Sequence, residues 1–141
     1  MDRLVLPTIY ISKIKEEHIA TYGEVSNDFN PLHFDKKAAK QAGFSDRIVH
    51  GMMTMGISTK LISPWLSSDC FIKEYESSFR YPLLIGDSLH IYGEIAERTC
   101  FDARITFKGI NQHSQIIITG KILVEGRLQD SPSLLKPPSS T

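Results

Sequence analysis

Apolar residues follow two different rhythms along this chain. Over residues 15–26, Ile19, Tyr22 and Val25 recur at helical spacing and predict an amphipathic helix. Over residues 50–63, the run Gly51-Met52-Met53-Thr54-Met55-Gly56-Ile57-Ser58-Thr59-Lys60-Leu61-Ile62 carries a single charge, with apolar or small residues on nearly every face. Such a helix is expected to be buried on most sides, with Gly56 admitting a second backbone and Pro64 ending it. Beyond Cys70 the period drops to two. Leu89, Ile91 and Ile95 alternate with Ser88, His90 and Glu94, and Phe101, Ala103, Ile105 and Phe107 with Asp102, Arg104, Thr106 and Lys108. Ile116, Ile118, Ile122 and Val124 repeat the pattern. A further strand over 73–81 and a short one over 8–12 complete a mostly antiparallel sheet with one polar face. Turns are expected at Gly86-Asp87 and around Gly109 and Asn111. The simplest assembly wraps the sheet around the one buried helix, giving an α+β domain.

Between the helices the periodicity fails. Residues 27–34 read as a loop, because Asn30-Pro31 disfavours helix on both sides of its bond. Asp35 is placed to cap a short helix running to Ala42, and Gly43 to end it. The Ser- and Pro-rich stretch from Ser131 trails off, so the domain is taken as residues 1–128 and a flexible tail as 129–141.

Composition narrows the function. The 141 residues suit one domain. Sixteen Lys and Arg balance sixteen Asp and Glu, which argues against a nucleic-acid binder or a polybasic membrane anchor. No apolar run approaches the ~18 residues of a membrane span, and the first residues lack the features of a signal peptide. Cys70 and Cys100 form neither a CxxC pair nor zinc spacing, so they read as reduced thiols. A cytoplasmic protein is the expectation.

Two segments carry candidate chemistry. In Asp28-Phe29-Asn30-Pro31-Leu32-His33 an acid and an imidazole stand five positions apart in a proline-stiffened turn. Together they could hold a water and move its protons; by local preference alone Asp28 could equally cap a turn and His33 pack at the surface. In Ile48-Val49-His50-Gly51-Met52 an apolar run ends at the start of the buried helix. Free N–H groups there, and a glycine with no side chain in the way, could meet a developing oxyanion. His50 is read as fixing the local backbone rather than handling protons.

These two blocks, with Ser78-Phe79-Arg80-Tyr81-Pro82 and Gly86-Asp87-Ser88-Leu89, resemble the MaoC-like dehydratases and (R)-specific enoyl-CoA hydratases. The resemblance covers nearly the whole chain, from Val5 to Gly126. It implies a single HotDog domain, a long central helix wrapped by a bent antiparallel sheet, with the N-terminal overhang of the hydratases. It also implies a homodimer. Asp28 and His33 fall on the family's catalytic pair, Gly51 on the residue whose N–H binds the thioester oxygen, and Asn30 on the residue supporting the pair. Thr59 falls where relatives carry a small hydroxyl residue near the carboxylate. Asn27 and Arg47 depart from the family pattern, the second where proline is usual.

The reaction so implied is (R)-specific hydration of a trans-2-enoyl-CoA, and the reverse dehydration of the 3-hydroxyacyl thioester. The carrier, coenzyme A or acyl-carrier protein, stays open, as does the pathway, polyhydroxyalkanoate supply or fatty-acid metabolism among them. No metal or cofactor is expected; Asp28, His33, Asp35 and His50 are conceivable ligands that the reaction does not need. Arg80 is a candidate for the coenzyme phosphates but reads first as a solvated arginine. Met53, Met55, Ile57 and Ile62 are candidates for the floor of an acyl pocket. A HotDog thioesterase and a non-catalytic acyl-binding module are the alternatives.

Overall fold

In the computed structural model, residues 3–133 are described. Four long antiparallel strands form the body of the sheet: β3 (Phe71–Phe79), β4 (Leu89–Arg98), β5 (Asp102–Ile110) and β6 (Ile116–Glu125). Two short strands, β1 (Leu4–Val5) and β2 (Ile9–Ile11), both pair with β4. The order across the sheet is β1-β4-β5-β6-β3. Of the alternating residues, Leu89, Ile91, Ile95, Ala103, Ile105, Phe107, Ile118, Ile122 and Val124 are buried as their period requires. Phe101 lies just before β5 and is exposed, so the inward alternation begins at Ala103.

Two features of the strands were not legible in the period. Gly109 sits inside β5 rather than in a turn, and a Cβ there would stand 3.0 Å from Ile118. The turn is made by Asn111, whose side-chain oxygen accepts from His113 and Gln115 N–H groups. Opposite Gly109 the register shifts, pairing Ile110 with Ile116 and Gly109 with Ile118. Ile117 is the extra residue of this bulge, and both Ile117 and Ile118 turn inward.

The helices refine the expectation. α1 (Glu16–Ser26) buries Ile19 and Gly23, while Val25 is 82% exposed. The inward stripe runs through a glycine, because a Cβ at position 23 would lie 2.6 Å from the Phe34 ring. A count of apolar residues cannot see that. The expected loop contains a helical turn, α2 (Pro31–Phe34). Proline is excluded from helix interiors, yet it suits the first helical position, and Asn30 caps the turn by accepting from Leu32 N–H at 3.0 Å. α3 (Lys36–Gln41) begins where expected, with Asp35 accepting from Lys37 and Ala38 N–H groups, and Gly43 at φ +96° follows it.

The central helix α4 (Gly51–Ser58) is shorter than expected and gives way to two 3₁₀ turns, Thr59–Leu61 and Ser63–Trp65. Pro64 therefore lies in a turn that follows the α-helix rather than at its end. Thr54 and Ser58 are its buried residues, and the Ser58 hydroxyl hydrogen-bonds that of Tyr75 on β3. Burial pushes the Tyr75 phenol up, a shift the Ser58 bond partly opposes. The apolar residues lie to the sides: Met53, Met55 and Ile57 are half-buried, and Met52 is 63% exposed. Burial on most sides is thus not met within one chain. Among the described residues nothing lies within 4 Å of a Cβ built on Gly56. The chain does not leave the fold at residue 129 either. Gln129 N–H donates to Trp65 O and Ser133 N–H to Pro64 O, and the rest of the expected tail, 134–141, lies outside the described residues. Both cysteines are free thiols. Among the described residues no helix is long and apolar enough to cross a membrane.

Candidate active site

A strap of extended chain, residues 46–50, leads into α4 and organises the site. Val49 N–H donates to Leu83 O and Ile85 N–H to Arg47 O, so the strap pairs with the segment that follows β3. On its other edge Ile48 N–H donates to Leu32 O of α2. Arg47 does not face α4. Its guanidinium reaches Glu16 of α1 at 2.7 Å and Asp46 at 3.3 Å. These bonds hold the guanidinium above, and the Arg47 contacts hold the Asp46 carboxyl below, their ordinary ranges. The strap is thereby pinned to α1, and the departure from proline serves packing.

Asp28 enters the site from the end of α1. Asn27 closes that helix in the left-handed region, φ 57° and ψ 34°, a conformation glycine adopts freely and asparagine tolerates. Asp28 follows with its side chain 50% exposed, and its Oδ1 accepts from Asn30 N–H at 3.3 Å. His33 projects from α2 with its side chain 11% exposed. Its Nδ1 lies 2.8 Å from Ile48 O. A carbonyl oxygen only accepts, so Nδ1 carries the proton and Nε2 of the neutral ring presents a lone pair. That Nε2 stands 3.9 Å from Asp28 Oδ2. The gap is too long for a direct hydrogen bond and suits one water donating to both atoms. Asn30 supports the pair twice, through its N–H to Asp28 and its side chain to α2.

Gly51 opens α4. Among the described residues its N–H has no acceptor, as the first turn of a helix requires. Phe79 lies against it, 3.1 Å from where a Cβ would be. A cleft of about 290 Å³ begins here, lined by Gly51, Ile48, Thr54, Phe79, Tyr81 and Ile117 among others, with exposed Arg80 also on its lining. Asp28 and His33 are not part of that lining. Thr59 is not brought to them within one chain. It stands at the far end of α4, its hydroxyl bonded to Gly56 O, roughly 12 Å along the axis from Gly51 at 1.5 Å per residue.

His50 holds backbone, as expected, but the stretch of chain it holds is 22 residues away at Asp28, and its contact with His33 was not foreseen. Its ring stacks on His33, centroids 3.8 Å apart and planes at 25°, and its Nε2 lies 3.0 Å from the Asp28 carbonyl oxygen. Only its place before the helix could have drawn attention to it. Asp28, His33 and His50 each offer a donor atom within 4.8 Å of the others. One nitrogen of each ring is already bonded to a backbone carbonyl, His33 Nδ1 to Ile48 O and His50 Nε2 to Asp28 O.

Residues 6–116 match the model of the MaoC-like domain. The chain belongs to this family. A 3-hydroxyacyl-[acyl-carrier-protein] dehydratase, mitochondrial, of Arabidopsis thaliana is 34% identical over 106 residues, 72% of this chain and 63% of that protein. This MaoC-like chain thus spans under two thirds of that relative's length. The (R)-specific enoyl-CoA hydratase of Aeromonas caviae is 29% identical over 110 residues, 76% of this chain and 82% of that one. The solved structure of an (R)-hydratase from A. caviae aligns with TM-score 0.76 at 25% identity, covering 86% of this chain and 96% of that chain. The MaoC-like chain has the HotDog fold expected from its sequence.

Proposed function

We propose that this protein hydrates trans-2-enoyl thioesters to (R)-3-hydroxyacyl thioesters and catalyses the reverse dehydration. The observation that supports this reading is the facing pair of acceptors, Asp28 Oδ2 and His33 Nε2, 3.9 Å apart. A water donating one hydrogen to each presents a lone pair to C3 of the enoyl group. As its oxygen attacks, one proton passes to the pair, and the pair returns a proton to C2 on the same face. The two groups share the acid and base roles. Negative charge gathers on the thioester oxygen, where Gly51 N–H and the α4 dipole receive it. The reaction so written uses no metal or other cofactor. Coenzyme A is the proposed carrier, with an acyl-carrier-protein thioester as its competitor because of the plant relative's name.

The working form is a homodimer. Met52 and Gly56 of α4 are open, and among the described residues β3 ends the sheet with only β6 beside it. A second copy would cover the helix that the sequence marks for burial.

Crotonyl-CoA with a chelator present is the first test. Loss of the conjugated-enoyl absorbance, with the (R)-alcohol as product and sedimentation at twice 15.9 kDa, is expected. Release of free thiol from acetyl-CoA without hydration would mark a thioesterase instead, and no turnover of either an acyl-binding module. An active monomer would remove the dimer.

A further inference from the structure

Asp28 and His33 sit on separate turns, yet both are tied to residues 48–51. Ile48 O accepts from His33 Nδ1–H at 2.8 Å. Two residues on, His50 is 2% exposed, and its Nε2 faces the Asp28 carbonyl oxygen at 3.0 Å, so Nε2 carries the proton and donates. The face of the same ring stacks on His33 at 3.8 Å between centroids. Gly51, the oxyanion donor, is the next residue. Tyr22 of α1, at 4.9 Å, and Phe34 of α2, at 5.8 Å, close the remaining sides of the ring. Its Nδ1 is buried and has no partner among the described residues. That atom costs stability that an apolar ring would not. The other nitrogen reaches the Asp28 backbone. Apart from the 3.3 Å contact with Asn30, the Asp28 carboxylate has no hydrogen bond among the described residues.

We infer that His50 is a positioning residue: through its bond to Asp28 O and its stack on His33 it sets the catalytic pair in register with the Gly51 N–H. It does not touch substrate. The inference rests on the hydratase reading, and its strength comes from geometry, since misplacing reacting groups by about 1 Å can cost ~10² in rate.

The test compares three variants by kcat and KM separately, with thermal stability measured alongside. His50→Gln keeps an N–H donor near the Nε2 position, His50→Asn offers one too short to reach, and His50→Phe keeps a stacking ring without a donor. Loss of register should lower kcat by about 10² in the Asn and Phe variants with KM nearly unchanged, and Gln should recover most of that loss. A kcat for Phe equal to wild type, a rise in KM alone, or Gln no better than Asn would overturn the inference. The wild-type protein supplies a second readout that needs no variant. The imidazole nitrogen resonances of His50 should report a proton on Nε2, and a proton on Nδ1 instead would refute the bond. Asp28→Asn and His33→Ala in the same assay separate the two ideas. Unimpaired turnover in both defeats the hydratase reading, whereas their loss beside unimpaired His50 variants defeats only this inference.

Discussion

Asp28→Ala and His33→Ala should each lower turnover of an enoyl thioester by ~10²–10⁴, the usual worth of a positioned acid or base. The two replacements remove different atoms of one device. Without Asp28 the water loses the acceptor Oδ2; without His33 it loses Nε2, and the bond from Nδ1 to Ile48 O goes with it. A water held by one acceptor has no fixed orientation toward C3. The double variant should therefore be little worse than the poorer single one, since residues that act as a unit are strongly non-additive. Unfolding does not explain the loss at position 28. The Asp28 side chain is half exposed and among the described residues its one hydrogen bond is the 3.3 Å contact with Asn30, so its removal should leave the denaturation midpoint nearly in place. The measurement is kcat/KM on crotonyl-CoA beside a thermal melt. Either variant turning over at the wild-type rate, while folded, would sink the assignment of the pair.

Gly51→Pro should lower kcat by ~10²–10³, the loss seen when one oxyanion donor is removed. Proline is unusually well suited to this question here. Gly51 is the first residue of α4, where proline is favoured because its missing N–H would have no helical partner. His50 before it already has φ −59° and ψ 127°, the extended geometry that a following proline demands. The replacement adds a Cβ that meets Phe79 at 3.1 Å. Gly51→Ala adds the same carbon and keeps the N–H, so the ratio of the two variants reports loss of the donor together with the ring carbon that takes its place. Equal rates in the Pro and Ala variants would show that the N–H takes no part.

Legibility of this site varied residue by residue. Asp28, His33 and Gly51 could be picked out from their neighbours in the chain and Asn30 through the family resemblance, and the structure brings Asp28, Asn30 and His33 together. Thr59 was put forward by that resemblance and stands at the opposite end of α4. Helical spacing places it there, and only an assembled dimer could bring such a residue to a second active site. His50 was underread because what it does depends on two residues, Asp28 and His33, that lie 22 and 17 positions away. The Ile48 carbonyl that sets the His33 tautomer is a backbone atom, and no choice of side chain advertises it. The helical turn at Pro31 escaped for a different reason. Proline's two rules oppose each other at the first helical position, and a cap from Asn30 decides between them.

Period, turn chemistry and capping are local, so the sequence by itself determined the four long strands, the capped helix after Asp35, the apolar central helix and the acid–imidazole pair. Distances between segments are not local. The tertiary structure alone decided that Gly23 rather than Val25 faces inward, that a bulge turns Ile117 into the cleft, and that His50 lies beneath both members of the pair. Each follows from how closely two backbones pack, a quantity fixed when the whole chain condenses around its core and absent from any one stretch of it.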